Sequence, residues 1–473
     1  MSTTRKIAHN TAAQLIGKIV STGLGLVAIG MMTRYLGTEQ FGWYVTTIAF
    51  LQFLAILIDF GLIPVTAQMM GEKKIEEQTL LQNLLGYRFV TAIFFLALAP
   101  AIALFFPYPH EVKIAIAFTT VNMLAVAMNQ IFTGYYQAKL KMHIQAIGEV
   151  IGRVVLVGGL ALMLYTDAGF LPVMIVLTLA SVAYTAYMWS SAFRMARPIF
   201  AFDMPIWKEI TRKMWPIAIS IIFNVMYLKG DTVILSLYQD QTQVGIYGAA
   251  YRVIDILAQM AMMMMGLMLP LLANAWAEKN KERMHHLYQQ SFDMMMLFAV
   301  PLVLGGILVA TPIMTLVAGA GFEASGPMLS VLLGSTFFLF IGAIYGHIAV
   351  AIDKQKQTMW IYISNAVITV IGYFYFIPRY GLWGAAGMTL FSEAYAGIML
   401  LFTVRKYLKL TLNIQTFGKI LFSAIVMAAA IYLFKDWHVL ILLPLGGVVY
   451  LAFLFGLGAV SKETMKEILN IKS

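Results

Sequence analysis

The sequence predicts an all-α polytopic membrane protein of about fourteen transmembrane helices, arranged as two pseudo-symmetric six-helix lobes followed by two terminal helices. Three observations carry this prediction: a composition too apolar for a soluble chain, a succession of apolar stretches of crossing length, and basic residues gathered in alternate connections. Of 473 residues, 61% are hydrophobic and 11% are charged, against about half and about one quarter in ordinary soluble domains. A soluble body of this length has no interior large enough for that much apolar side chain.

A helix needs roughly 20 apolar residues to cross a hydrocarbon core. Such stretches lie at 11–33, 41–64, 80–105, 114–137, 144–165, 170–193, 214–237, 245–270, 287–310, 327–350, 358–377, 382–403, 418–434 and 438–459. Two breaks are short. Thr166, Asp167 and Gly169 divide the fifth span from the sixth, and Pro378, Arg379 and Gly381 divide the eleventh from the twelfth. Arg5 and Lys6 before the first span resemble the start of a signal peptide, but the apolar run is too long and no small-x-small site follows, so it is read as an uncleaved span.

Charge sets the orientation. Of 32 Lys and Arg residues, 26 fall with the amino end, the even-numbered connections and the carboxyl end; Arg34, Lys113, Arg379 and Lys435 fall on the other side, and Lys229 and Arg252 lie inside spans. The positive-inside rule therefore places both termini in the cytoplasm and requires an even number of spans, without itself choosing between twelve and fourteen. The formal charge of +10 is thus a membrane-topology signal, and no nucleic-acid motif accompanies it. The chain has no cysteine, which excludes disulfides, thiolate metal sites and thiol catalysis. No Walker loop or His-Glu-x-x-His is present, so neither an enzyme nor an ATP-driven pump is expected.

Domain organisation follows from the longest cytoplasmic connection and an internal echo. Residues 1–195 make an amino-terminal lobe, 196–213 a cytoplasmic inter-lobe linker, 214–410 a second lobe, and 411–473 the last two spans with a cytoplasmic tail. The linker contains Pro198, Pro205 and Trp207, which suit either an interfacial segment or a flexible connection. Between the first two spans the chain reads Tyr35-Leu-Gly-Thr-Glu-Gln-Phe-Gly-Trp-Tyr44, and between the seventh and eighth Tyr238-Gln-Asp-Gln-Thr-Gln-Val-Gly-Ile-Tyr247. At a constant offset of 203, Tyr35, Gln40, Gly42 and Tyr44 match Tyr238, Gln243, Gly245 and Tyr247. Six intervening spans give both copies the same direction through the membrane, which predicts two parallel lobes around a transporter-like cavity.

Charges inside spans cost several kcal/mol unless they pair, snorkel or face water, so they are the candidate functional residues. Lys229 lies roughly 22 Å along the seventh span from its cytoplasmic start, and Arg252 roughly 10 Å below the outer end of the eighth. Both suit an anion such as a phosphate, Arg by bidentate contact and Lys as a point charge. The alternative is local pairing, Lys229 with Asp231 and Arg252 with Asp255. Lys18 and Arg88, near the cytoplasmic side, either form a basic entrance or snorkel to headgroups. Glu149 and Arg153 are spaced for a helix salt bridge. Glu393, in mid-span, is the foremost candidate for ion coupling, with Asp59, Asp255 and Asp293 behind it. Asn224, Asn122, Asn129 and Gln130 can bond across helices or to sugar hydroxyls. Pro64, Pro216, Pro270, Pro301 and Pro312 are expected at span ends, and the methionine-rich run 260–265 as adaptable packing.

Beyond this chemistry, Asn10-Thr-Ala-Ala-Gln14, Thr33-Arg-Tyr-Leu-Gly-Thr-Glu-Gln-Phe-Gly-Trp-Tyr44, Asp59-Phe-Gly61, Gly245-Ile-Tyr-Gly-Ala-Ala-Tyr-Arg252 and Gly381-Leu-Trp-Gly-Ala-Ala-Gly387 strongly resemble the polysaccharide transporter and O-antigen flippase family. That family is related to multidrug and toxic compound extrusion transporters and to peptidoglycan lipid flippases. The resemblance implies movement of oligosaccharide on undecaprenyl pyrophosphate from the inner to the outer leaflet of the cytoplasmic membrane by alternating access. By residue class and position it implies Lys18, Lys229 and Arg252 as headgroup contacts, with Arg88 and Asn224 in reserve. It implies no cofactor, coupling to Na⁺ or H⁺, and polysaccharide polymerase and glycosyltransferase partners. A cation-coupled antiporter of small amphiphiles and a non-transport assembly protein are the alternatives.

Overall fold

The computed structural model describes residues 3–59, 62–72 and 74–459; the side chains at 3–15, 56–59, 64, 67, 216–221, 224, 225 and 228 lie outside that description. Of the sequence candidates, Asp59 and Asn224 therefore fall outside the described side chains, as do Pro64 and Pro216.

All described secondary structure is helical. The elements are α1 (Thr3–Asp59), α2 (Leu62–Glu72), α3 (Glu77–Leu104), α4 (His110–Ala138), α5 (Met142–Thr166), α6 (Phe170–Ala192), α7 (Met204–Tyr238), α8 (Gln241–Ala277), α9 (Lys281–Leu308) and α10 (Ala310–Ala318). A 3₁₀ turn (Ala320–Phe322), α11 (Ser325–Ala351), α12 (Gln355–Leu408), α13 (Gln415–Leu433) and α14 (Val439–Gly456) complete the order. Among the described residues, eleven helices are long and apolar enough to cross a membrane. Two of these, α1 and α12, are each a pair of helices joined across a non-helical glycine, Gly37 (φ 66°) and Gly381 (φ 54°). Counting their arms separately, these helices supply thirteen segments among the described residues, and the 35-residue α7 covers the seventh hydropathic stretch, 214–237.

The two glycines explain why the chain can turn there at all. A positive φ is costly for any residue with a Cβ, and glycine is the residue that adopts it freely. The eleventh and twelfth spans therefore part at Gly381, while Pro378 stays within the preceding helical arm. Pro270 and Pro301 also differ from expectation, since both lie inside helices, α8 and α9. The eighth span continues to Ala277 and the ninth begins at Lys281, so neither proline marks a helix end. The connection after α9 is likewise not a bare loop, because Ala310–Ala318 folds as the short helix α10.

The chain divides into two compact units, Met1–Gly248 and Ala249–Ser473. In the first, a core of Leu81, Leu84, Ile131, Phe132, Tyr135 and Met188 joins α3, α4 and α6. In the second, Met295, Phe340, Ile344, Leu400, Ala424 and Leu442 lie in a core shared by α9, α11, α12, α13 and α14. Many large apolar side chains remain outside these cores, among them Phe94, Ile371 and Val448, each more than 60% exposed. In water such a surface would aggregate; in a bilayer it is solvated.

The linker is an ordered strap. Ala201 N donates to Gln82 O (3.1 Å), Gln82 Nε2 to Arg197 O (2.8 Å) and Asp203 N to Asn83 Oδ1 (2.8 Å). Phe200 stacks on Phe89 with ring centroids 4.5 Å apart, and Trp207 meets Tyr87 edge-on. Asp203 then caps α7, accepting from Ile206 N, with Pro205 in the first turn, where the missing N–H costs nothing.

A cytoplasmic ion cluster fastens this end of α7. Lys213 Nζ donates to Glu72 Oε2 at 2.6 Å, and Lys74 lies 3.5 Å from the same oxygen. The Lys213 hydrogen bond holds the Glu72 carboxyl below its ordinary value of 4.5. A depressed carboxylate stabilises the fold above the unfolded pKa, and that contribution is lost as pH falls through the folded value. Lys213→Met is therefore expected to lower the melting temperature at pH 7, with the deficit closing as the pH is taken below 4.5. Melting curves of both proteins across that range check it, and a deficit independent of pH would contradict it.

Candidate functional site

In the first unit, α1 and α5 pack against one another and bring three polar groups together. Lys18 Nζ lies 3.2 Å from Glu149 Oε1, and Ser21 Oγ donates to the same oxygen at 2.6 Å. The helix salt bridge expected between Glu149 and Arg153 is not formed among the described residues. The cross-helix partners Lys18 and Ser21 take the carboxylate, while the Arg153 guanidinium lies over Gly25 of α1, where the missing side chain makes room for it. Lys18 keeps about a third of its side chain exposed.

Arg88 sits differently from the entrance or snorkelling positions open to it in sequence. Its side chain is almost wholly buried, at 1% exposure, and Nε donates to Ala127 O of α4 at 3.2 Å. A charge held this deep is costly unless its donors are engaged, so Arg88 belongs to the interior of its unit.

The pair Lys229 and Asp231 sits on α7. Asp231 is fully buried and accepts from Thr232 N (2.6 Å), Thr232 Oγ1 (3.2 Å) and Tyr247 Oη (2.6 Å). Lys229 is half-buried and within electrostatic reach of Asp231. Tyr247, the hydroxyl partner of Asp231, is uncharged, and its only mark in the sequence is its place in the 203-residue echo. In the second unit, Arg252 Nη1 lies 3.5 Å from Asp255 Oδ2, both side chains about one quarter exposed. The local pairing foreseen for Arg252 is thus realised, in a geometry too long for a short charge-assisted bond.

The acidic candidates separate clearly. Asp293 accepts from Gln289 Nε2 at 3.0 Å through both oxygens, and Gln289 also holds the backbone of Asn413 through its two polar atoms. That arrangement fastens the connection before α13. Glu393 is 6% exposed, and among the described residues no hydrogen bond or ion pair engages it. The Tyr362 phenol is within electrostatic reach.

Along α4, Asn122 Oδ1, both polar atoms of Asn129 and Gln130 Oε1 are buried without a hydrogen-bond partner among the described residues. Cross-helix bonding is therefore not their use here. No group of three or more His, Asp or Glu side chains suited to a metal ion occurs among the described residues.

The echo between residues 35–44 and 238–247, both within the first unit, is a contact as well as a likeness. A Cβ on Gly42 would lie 1.7 Å from Gln241 O, and one on Gly245 would lie 2.0 Å from Thr38 O. Thr38 and Gln241 are themselves 203 residues apart, so equivalent positions of the two copies face one another reciprocally. Thr46 Oγ1 adds a bond to Gln241 Oε1 at 2.6 Å.

Residues 7–276 match the family described as polysaccharide biosynthesis protein. The chain belongs to that family. Residues 216–375 also match the MatE family. A curated relative, the probable low-salt glycan biosynthesis flippase Agl15 of Haloferax volcanii, is 22% identical over 440 residues, covering 91% of this chain and 90% of that protein. Among solved structures, a lipid II flippase MurJ in an inward closed conformation aligns with TM-score 0.78 at 18% identity, over 97% of this chain and 99% of that one. An inward-facing multidrug resistance transporter of the MATE family aligns with TM-score 0.63 at 13% identity, over 84% and 94%. These likenesses establish the fold of this family member as the one shared by those flippases and extrusion transporters.

Proposed function

We propose that this protein is a flippase that carries oligosaccharide linked to polyprenyl pyrophosphate across the cytoplasmic membrane, for the assembly of cell-surface polysaccharide. The observation that carries the proposal is correspondence with a probable glycan biosynthesis flippase over 91% of this chain and 90% of that protein. Family membership over residues 7–276 supports it. Translocation needs no bond made or broken. It needs a path on which a pyrophosphate loses its water without prohibitive cost, and cations in the interior of the bundle lower that cost.

Lys18, Lys229 and Arg252 are proposed as headgroup contacts, because each is part-exposed. Arg88 and Asn224 stand behind them, Arg88 because it is buried. For coupling to Na⁺ or H⁺, Glu393 is preferred over Asp255 and Asp293, whose carboxylates already have local partners, and over Asp59. Glycosyltransferases that build the repeat unit and a polymerase that consumes it are the partners this activity requires.

Binding tests the headgroup assignment separately from transport. In nanodiscs, Lys229→Gln and Arg252→Gln are each expected to weaken polyprenyl pyrophosphate binding about tenfold, with neutral polyprenol of the same length unaffected. Equal losses for the two lipids, or none, would sink the assignment.

A further inference from the structure

The two arms of α12, which meet at Gly381, enclose a groove of about 720 Å³ in the second unit. Its volume lies within the range of small-molecule sites, roughly 300–1,000 Å³. The walls include Ile371, Tyr375, Phe376, Trp383 and Phe391, all of them exposed large apolar side chains. Gly372 and Gly384 draw the arms together, since a Cβ on either would lie within 2.4 Å of Met388 or Phe376 atoms. Gly387 also lines the groove, but a Cβ there would meet nothing within 4 Å. The groove is therefore shaped by close packing on one side and left open on the other.

Membrane depth and charge say what fills it. The walls belong to crossing segments, where the surrounding medium is lipid and water is excluded. Against one wall, the Arg379 guanidinium lies over the Tyr375 ring, 3.8 Å from its centroid, and Nη1 donates to Tyr375 O at 2.8 Å. Arg379 has no carboxylate partner among the described residues, and it is one of only four basic residues assigned to the weakly basic side of the membrane. An aromatic-walled slot with a cation against one of its wall residues matches a chain bearing an anionic phosphate head.

We infer that this groove is a specific site for an anionic phospholipid, one acyl chain lying between the arms of α12 and the phosphate on Arg379. A bulk phospholipid greatly outnumbers a polyprenyl carrier in a membrane, and mass action favours the abundant ligand. The site is independent of the transport reading.

Native mass spectrometry of delipidated protein titrated with phosphatidylglycerol or phosphatidylcholine of equal chain length tests it. Wild type is expected to take up one phosphatidylglycerol with about tenfold preference over phosphatidylcholine. Gly387→Phe, which fills open space, loses both lipids from this first site by about tenfold or more. Arg379→Gln keeps chain binding and loses the headgroup preference. Gly447→Phe, on the exposed face of α14 where a Cβ also meets nothing within 4 Å, controls for a bulky substitution and leaves binding unchanged. Unaltered phosphatidylglycerol affinity in Gly387→Phe, no preference in wild type, or preferential displacement by polyprenyl phosphate at equal concentration would overturn the inference, provided helix content and elution volume match wild type.

Discussion

Replacing Gly42 with valine is expected to destabilise the first unit severely, by about 1–3 kcal/mol or more, the scale of overpacking in a close-packed interior. The reason is geometric. The new Cβ would sit 1.7 Å from Gln241 O and 2.6 Å from Gln241 C, and both atoms are backbone. No rotamer change can relieve a clash with main chain, so the helices must move apart. Gly245→Val meets the same obstacle from the other side, against Thr38 O at 2.0 Å. The two substitutions break one contact, so the double variant is expected to lose less than the sum of the singles. Thermal unfolding followed by size-exclusion chromatography measures this. Gly71→Val, where a Cβ meets nothing within 4 Å, serves as the control, and a Gly42→Val protein as stable as that control would refute the reciprocal contact.

The second large effect is expected at Glu393. The residue lies eleven positions from Leu382, roughly 17 Å along the second arm of α12, and is 6% exposed. A carboxyl at that depth is costly to a membrane helix, about 2.5–3.5 kcal/mol for Asp at a helix centre, and no hydrogen bond or ion pair among the described residues offsets it. Glu393→Gln is expected to remove gradient-driven transport about tenfold or more while leaving the unfolding temperature unchanged or raised. Transport and melting measured on the same preparation separate these outcomes. Loss of stability in step with loss of transport would assign Glu393 to the scaffold instead.

Much of the fold was legible because lipid simplifies the code. Crossing length, apolar content and the Lys/Arg asymmetry each follow from the bilayer rather than from particular side-chain contacts. The parting at Gly381 was visible as a short polar break, and Gly37 lay in the polar turn between the first two spans, for the same reason. Pro270 and Pro301 misled, because proline within a long membrane helix is tolerated where neighbouring groups re-satisfy the backbone.

The site was less legible. Sequence identifies a costly charge but not its partner, and partners on other helices are decisive here. Glu149 has a suitably spaced Arg153 on its own helix, yet Lys18 and Ser21 of α1 hold it. Asp231 is held by Tyr247, a neutral residue that a search for charges passes over. Arg88 could have snorkelled by stem length alone, and only its packing against α4 places it inside. The echo fared better: four identities at one offset marked the segment where the two copies touch, since a glycine that must admit a backbone oxygen cannot be exchanged for another residue.

Translocation of a lipid-linked saccharide is read out by leaflet-to-leaflet transfer in proteoliposomes. Purified protein would be reconstituted with labelled polyprenyl-pyrophosphate oligosaccharide, with and without Na⁺, H⁺ and voltage gradients, and the accessible label followed over time. Wild type is expected to move the label far faster than protein-free liposomes, with Arg252→Ala and Lys229→Ala reduced although folded and inserted. No transfer by wild type across a panel of such lipids under every gradient, with transport of small cationic amphiphiles in the same vesicles, would contradict the flippase and favour an antiporter on the same fold.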